Sequence, residues 1–210
     1  MTKELKILYE DDNIISVDKP AGIATAHEKG KPTLLSLLEE KYNKKFFTVH
    51  RLDKDVSGVI IFVKNEDAHK QLSKLFENQE VQKTYLALVH GIVKDDEGVI
   101  DKLIRQFGSG RMGIDEQNGK KSITKFKVLE RRNNTTLLEI NLLTGRRHQI
   151  RVHLYSIGHP IVGDKMYGDK VLQTNYTRLM LHAGEIKFRF EQGNDLIIRS
   201  ELPLLFRIKN

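Results

Sequence analysis

The feature that most constrains the fold is the apolar run GVIIFV, residues 58–63, which follows directly on the charged segment HRLDKDVS, residues 50–57. An uninterrupted run of β-branched and aromatic residues predicts a strand that is buried on both faces of a sheet. The preceding segment brings an arginine and two aspartates to the start of that strand. An ionised carboxylate is costly to bury unless it is paired and hydrogen-bonded, so this loop is either a local turn or a reaction site.

The remaining segments predict more strands than helices. Apolar spacing predicts helices at residues 32–44, 66–78 (after an Asn65 cap) and 146–158 (ended by Gly158). β-branched and aromatic content predicts the strands, at residues 6–10, 13–20, 58–65, 81–91, 122–131, 135–143, 178–190 and 194–203. Few strand–helix–strand units repeat in order, which favours an α+β fold with a large mixed, mainly antiparallel sheet flanked by helices. The segment Phe107–Lys121 is interpreted as a long loop inside a single domain of residues 1–210.

Composition excludes several classes of protein. No apolar run approaches the roughly 20 residues of a membrane span, and the N-terminal segment lacks the apolar core of a signal peptide. The absence of cysteine excludes disulfides, thiolate nucleophiles and cysteine-based zinc sites, and it favours a cytoplasmic location.

The distribution of charge favours a polyanionic partner. The net charge is +7, and the window between Glu139 and Asp164 contains no acid. This window predicts an anion-binding face, with a merely solvated basic helix as the alternative. Its basic and histidine residues are Arg146, Arg147, His148, Arg151, His153 and His159.

Three motif matches predict no chemistry. Residues 108–113, GSGRMG, fit the dinucleotide pattern G-x-G-x-x-G, but no buried strand precedes them and no helix follows, which indicates a flexible loop. His50, Asp53 and Ser57 lie too close together for a hydrolase triad, whose members usually come from separate elements. His148 and His153 are accompanied by neither H-E-x-x-H nor a cysteine, so no metal site is predicted.

Two segments then remain as candidates, HRLDKDVSG (residues 50–58) and TGRRHQIRVHL (residues 144–154). In the second, Arg147, Arg151 and Tyr155 have the spacing i, i+4, i+8, away from the apolar stripe of the predicted helix. Arginines at the start of a helix oppose its dipole, which is more readily accepted when an anion lies nearby. The carboxylate of Asp53 or a nucleic-acid phosphate would supply that anion.

HRLDKDVSG resembles the H-R-L-D-x-x-T-S-G motif of the RluA family of RNA pseudouridine synthases. The segments at residues 14–27, 82–91, 144–168 and 181–188 are similar to further motifs of that family, in the same order and through nearly the whole chain. Val56 departs from the threonine that is usual in the family, and Arg147 departs from a threonine or serine. The resemblance begins directly with the catalytic region, so no separate N-terminal RNA-binding domain is expected.

The resemblance implies isomerisation of specific uridines to pseudouridine in structured RNA, a ribosomal or transfer RNA stem-loop. It makes Asp53 the nucleophile, Arg151 the partner of the catalytic carboxylate and Tyr85 the residue that stacks on the target uracil. Arg51 would fill the space left by the flipped-out uridine. The residues expected to contact RNA with Arg51 are His50, Lys120, Lys121, Arg146 and Arg147.

The implied reaction is redox-neutral, so we expect no cofactor and no metal, in a protein that acts as a monomer. Two other functions stay open. One is a catalytically inactive RNA-binding module of the same fold. The other is a glycosidase with Asp53 and Asp55 as its carboxylate pair, which would need an unusual loop geometry to flank a sugar. Asp55 is also the rival nucleophile, against its interpretation as a surface turn residue.

Overall fold

The computed structural model describes residues 5–26, 28–190, 193 and 195–206. The backbone forms two compact units. The first contains Met1–Lys83 and His182–Glu201, and the second contains Thr84–Leu181 and Leu202–Asn210. The single catalytic domain expected over residues 1–210 stays a prediction.

Strands outnumber helices in the described chain, as predicted, and the α+β fold class is confirmed. In chain order the elements are β1 (Ile7–Glu10), β2 (Ile14–Lys19), α1 (Leu34–Tyr42), β3 (Phe47–Thr48), β4 (Ser57–Val63), α2 (Glu66–Glu77), β5 (Gln82–His90), β6 (Glu97–Asp101), β7 (Ile104–Gln106), β8 (Met112–Ile114), β9 (Ile123–Arg131), β10 (Thr135–Leu142), α3 (Gln149–Ser156), α4 (Lys170–Thr174), β11 (Leu181–Arg189) and β12 (Asp195–Arg199). A 3₁₀ turn follows at Leu204–Phe206.

The first unit is built around β4. Its strands are ordered β1-β2-β4-β11, β3 also pairs with β4, and β12 pairs with β11. β4 and β11 run parallel, whereas the other pairs of this unit are antiparallel. Every residue of β4 is buried, as its apolar run predicts. Helix α2 covers β4 with Ala68, Leu72 and Leu75, so the loop before β4 is anchored to the core of this unit.

The second unit contains the antiparallel strands β5-β10-β9-β6 and a separate pair, β7 and β8. The prediction of a long loop at Phe107–Lys121 is therefore wrong in part, because β8 lies inside it and forms a hairpin with β7. The GSGRMG match covers the tip of that hairpin and the first two residues of β8, and Gly110 at the tip has a φ of 77°. A tight turn needs this left-handed conformation, which explains the glycine without any nucleotide.

The second helix begins as predicted after its Asn65 cap, whereas the first begins at Leu34, later than the predicted residue 32, with a side-chain cap from Thr33. The third begins later than predicted, at Gln149, because His148 has a left-handed conformation with a φ of 55°. Its last residue is Ser156, and Gly158 terminates it as predicted, with a φ of 82° that lets the amide groups of Gly158 and His159 donate to the last turn of the helix.

The prediction that Arg147, Arg151 and Tyr155 form a line along one helix, away from its apolar stripe, is wrong. Arg147 lies before α3, and only Tyr155 of the three is an exposed residue of the helix. Every residue from Gln149 to Leu154 is buried, so α3 has no polar face along this stretch. Local spacing assumed a surface helix, whereas α3 is an interior one.

Candidate active site

Asp53 lies in the loop that enters β4, and this loop is fixed on both sides of it. Before Asp53, the Thr25 hydroxyl donates to the carbonyl oxygen of the buried Leu52 (3.0 Å) and accepts from its N–H (3.2 Å). After Asp53, the ammonium group of Lys19 donates to the Lys54 carbonyl oxygen (2.9 Å). Asp53 itself is half-buried. The loop therefore holds a half-buried aspartate on a fixed backbone.

Lys19 is a site residue whose role sequence reasoning missed. Its side chain is buried, and its Nζ donates to the carbonyl oxygens of Pro20 (3.0 Å), Ile23 (2.7 Å) and Lys54. An ammonium group has three N–H donors, which three carbonyl oxygens can satisfy. Lys19 thereby joins the segment after β2 to the Asp53 loop. The sequence feature that could have identified Lys19 is its position in the segment that resembles the K-P-x-G motif of the family.

The last two residues of the motif, Ser57 and Gly58, join the loop to β11. Gly58 has a φ of 113°, and a Cβ at this position would collide with the backbone of Ala183. The Ser57 hydroxyl lies 2.8 Å from Nδ1 of His182, and both residues are buried. Glycine is therefore required where the parallel strands begin to pair. The histidine beside Ser57 is His182, which was not part of the rejected hydrolase triad.

The side chain of His50 adds a hydrogen bond to β4 next to the paired residues of β3 and β4. Its Nε2 accepts from the Ile61 N–H (3.0 Å), and its ring stacks on Phe76 at a centroid distance of 4.9 Å. Burial, with a smaller contribution from the charge of Lys83, lowers the pKa of His50 to about 3. The ring is therefore neutral near pH 7 and carries its proton on Nδ1. Its predicted contact with RNA stays a prediction.

The other positions of this loop differ in exposure. Arg51 and Asp55 are exposed, whereas Val56 is buried. Val56 thus fills a core position where the family usually has a threonine. Exposure of Arg51 suits a residue that reaches into RNA, and exposure of Asp55 suits a surface turn.

In the second unit, Arg151 forms a buried ion pair with Asp164. Its Nε and Nη2 each lie 2.8 Å from one carboxylate oxygen, and the side chains of Arg151 and Asp164 are 7% and 0% exposed. Asp164 Oδ1 also accepts from the N–H groups of Met166 and Tyr167, each at 3.0 Å. The interpretation of Arg151 as an ordinary surface charge is excluded. Asp164 therefore fixes the plane of the guanidinium group. The sequence did not predict this role, because Asp164 entered only as the end of the acid-free window.

Tyr167 connects this ion pair to the hairpin. Its hydroxyl accepts from the Met112 N–H (3.1 Å) and lies 2.8 Å from Nδ1 of His148. The guanidinium groups of Arg111 and Arg151 each lie 5.0 Å from its ring centroid. Burial raises the pKa of Tyr167, so its hydroxyl stays protonated near neutral pH.

Much of TGRRHQIRVHL is structural. The Gln149 side chain accepts from the Thr144 hydroxyl (2.8 Å) and the Arg146 N–H (3.0 Å), and it donates to Ile123 and Thr124 (3.0 Å each). These bonds fix the turn that leads into α3. Ile150 and Val152, on either side of Arg151 in the motif, are buried apolar residues.

His153 is interior as well. Its Nδ1 lies 2.9 Å from the Thr124 hydroxyl and its Nε2 lies 3.2 Å from the Lys102 carbonyl oxygen. Burial lowers the pKa of His153, which keeps the ring neutral. His153 therefore contributes no positive charge to the surface.

The predicted anion-binding face is smaller than the acid-free window suggested. Arg151 and His153 are buried, and His159 is half-buried with its Nδ1 2.9 Å from the His90 carbonyl oxygen. Arg146 and Arg147 are exposed, and Arg146 Nε lies 3.5 Å from the Lys121 carbonyl oxygen. The exposed basic residues of this region form what we call the basic surface: Lys120, Lys121, Arg146 and Arg147.

Tyr85 lies on β5, opposite Ile140 of β10, and is 8% exposed. Its expected stacking on uracil stays a prediction. Across residues 5–26, 28–190, 193 and 195–206, no three His, Asp or Glu side chains are grouped to hold a metal ion. In the same part of the chain, no helix has the length and apolar character needed to cross a membrane.

Comparison with known proteins defines the class of protein. The model of the RNA pseudouridylate synthase family matches residues 13–156, and the chain belongs to this family. It is 39% identical to the ribosomal large subunit pseudouridine synthase D of Nitrosomonas europaea over 95% of this chain, and 38% identical to the dual-specificity RNA pseudouridine synthase RluA of Vibrio vulnificus over 87%. The chain spans 62% and 77% of the length of these two relatives, respectively.

A solved structure extends the similarity to the fold. The human RNA pseudouridylate synthase domain containing 1 matches with a TM-score of 0.85 and 28% identity, over 96% of this chain and 84% of that one. The RluA-type resemblance of the motifs and the pseudouridine synthase fold are thereby confirmed.

Proposed function

We propose that this protein isomerises specific uridines to pseudouridine in structured ribosomal or transfer RNA, with Asp53 as the nucleophile. The observation that carries the proposal is the fixed loop around Asp53 in a chain of this family. Its backbone is held by Thr25 on one side and by Lys19 on the other, and Asp53 is half-buried.

The reaction balances without a redox partner. The bond between ribose C1′ and uracil N1 breaks, a bond between C1′ and C5 forms, N1 gains a proton and C5 loses one. An aspartate carboxylate is ionised near neutral pH, so it can act as a nucleophile without a separate base. Attack at uracil C6 and attack at ribose C1′ are both compatible with a half-buried carboxylate.

Motif positions supply the remaining roles of the proposal. Arg151 is the cationic partner of the Asp53 carboxylate, Tyr85 stacks on the uracil, and Arg51 takes the place of the uridine once it is flipped out. The basic surface binds phosphates, which fixes the RNA without reading its sequence. Support for Arg151 comes from its rigid pair with Asp164, since a guanidinium held in one plane offers a preorganised donor.

Release of tritium from RNA labelled at C5 of uridine tests the proposal, because the C5 hydrogen leaves only when pseudouridine forms. The purified protein should release tritium from bacterial total RNA. Asp53→Asn should abolish release and still bind RNA, because asparagine keeps the shape of aspartate without its nucleophilic charge.

Asp55→Asn is the matched control and should retain most activity. Equal loss in both variants, or loss in Asp55→Asn alone, would contradict the assignment of Asp53. RNA binding without tritium release by the unmodified protein would favour an inactive RNA-binding module. Release of free uracil would favour the glycosidase.

A further inference from the structure

The second unit contains a cavity of about 450 Å³ between the β7–β8 hairpin and α3. None of the roles proposed above uses it. We call it the hairpin pocket. Its walls are mainly apolar and aromatic, and its principal lining residues are Phe107, Met112, Ile114, Val152, Tyr155 and Tyr167.

Two aromatic side chains of the pocket face solvent. Phe107, from the hairpin, is 44% exposed, and Tyr155, from α3, is 48% exposed. An exposed apolar surface that lines a concave site is a sign of a binding function. The hairpin and the helix therefore each contribute one accessible ring.

The tip of the hairpin is shaped to hold Phe107. The Phe107 N–H donates to the Arg111 carbonyl oxygen (2.9 Å), and the Gly110 N–H donates to the Phe107 carbonyl oxygen (2.8 Å). A Cβ on Gly113 would lie 2.8 Å from Cε2 of the Phe107 ring. Glycine at position 113 thus lets the ring lie against the opposite strand of the hairpin.

Positive charge lies beside these rings. Arg111 is exposed, lines the pocket and has its guanidinium 5.0 Å from the Tyr167 ring centroid. Arg105 lies 5.8 Å from the Phe107 ring centroid and pairs with Asp115 at 2.9 Å. An apolar side chain of a protein partner would gain little from these arginines, whereas a nucleotide has both an aromatic base and a phosphate.

We propose that the hairpin pocket binds one unpaired nucleobase of the RNA substrate, stacked on Phe107 and Tyr155, with its phosphate on Arg111. The inference rests on the proposed function, since flipping a uridine out of a stem-loop leaves neighbouring bases unstacked. Aromatic platforms beside cationic groups are the usual way in which proteins bind single-stranded nucleic acid. Because every base has a π-face, the pocket accepts any unpaired base.

The test compares the affinity of a fluorescein-labelled oligoadenylate with that of an abasic ribose-phosphate oligomer of equal length and charge, by fluorescence anisotropy at matched salt. The unmodified protein should bind the oligoadenylate more tightly. Phe107→Ala combined with Tyr155→Ala should weaken oligoadenylate binding about 5- to 150-fold and leave binding of the abasic oligomer unchanged. Val171→Ala, a change at an exposed apolar residue of α4, is the control and should change neither affinity.

Gly113→Ala is a second variant, which displaces the Phe107 ring without removing it and should also reduce the preference for bases. Equal affinities of the unmodified protein for the two oligomers would overturn the inference, and so would an unchanged preference in either variant. A shift of the double variant to a smaller species in size-exclusion chromatography would overturn it too, since a second copy of the chain would then occupy the pocket.

Failure of the proposed function is distinguishable from failure of the pocket. A preference for bases without tritium release supports the pocket and contradicts the isomerase. Tritium release with no preference for bases supports the isomerase and overturns the pocket.

Discussion

Replacing Asp164 by asparagine tests whether the buried ion pair fixes Arg151. With its oxygen in the position of Oδ1, asparagine keeps the bonds from Arg151 Nη2, Met166 and Tyr167, but its amide group then faces the Arg151 Nε–H, a donor against a donor. Both side chains are almost fully buried, so the variant removes a buried carboxylate charge from beside the guanidinium group. Removing one partner of a buried pair costs about 3–5 kcal/mol.

Urea unfolding followed by circular dichroism measures this cost. With an m-value near 3 kcal/mol/M, the upper end of the range for small proteins, the midpoint should fall by about 1–1.7 M. Asp195→Asn is the matched control, because Asp195 pairs with Lys187 and Arg189 at the surface, where solvent screens the charges, and its loss should lower the midpoint far less than Asp164→Asn does. If both variants lower the midpoint equally, the Arg151–Asp164 pair is not the buried support inferred here.

Three further outcomes are expected. Gly58→Ala should lower the free energy of unfolding in urea by at least about 2 kcal/mol, because φ is 113° and the new Cβ would meet the Ala183 backbone. Unfolding like that of the unmodified protein would contradict this geometry. His50 has a folded-state pKa of about 3, below the unfolded value near 6.5, so its contribution to stability is complete above pH 6.5 and is lost as the pH falls towards 3. As the pH falls between these values, the free energy of unfolding of the unmodified protein should decrease by up to about 1.4 kcal/mol per pH unit more than that of His50→Gln. Glutamine keeps an acceptor for the Ile61 N–H. Parallel pH profiles of the two proteins would exclude the buried neutral ring. Arg146→Gln and Lys121→Gln should each reduce the slope of log K against log salt for RNA by about 0.7, and slopes that do not change would remove both residues from the RNA surface.

The fold was predictable where the signal is local. The apolar run of β4, the Asn65 cap of α2 and the Gly158 end of α3 are each specified by a few neighbouring residues, and the structure confirms them. The β7–β8 hairpin was missed because its strands have only three residues each and its sequence is rich in glycine. A pairing between segments this short is determined by tertiary context and not by periodicity.

The site was predictable as a set of motifs but not as a set of contacts. The K-P-x-G resemblance marks the position of Lys19, but nothing in the sequence shows that its ammonium group reaches the Lys54 carbonyl oxygen of the Asp53 loop. Asp164 follows Arg151 by thirteen residues and lies beyond the end of α3, so no helical spacing connects them. Both contacts are made by chain segments that only the fold brings together.

The structure divides the positive charge of TGRRHQIRVHL between two uses. Arg151 is paired with a carboxylate that accepts four hydrogen bonds, so its position is rigid. Arg146 and Arg147 precede the helix and are exposed, where a phosphate can reach them, and Arg146 lies beside Lys121. His148 separates the two groups by its left-handed turn, and its Nδ1 lies 2.8 Å from the hydroxyl of Tyr167, the residue shared by the ion pair and the hairpin pocket. A base bound in that pocket would contact the ring that lies beside Arg151, which gives RNA binding at the hairpin a direct physical connection to the arginine proposed to act with Asp53.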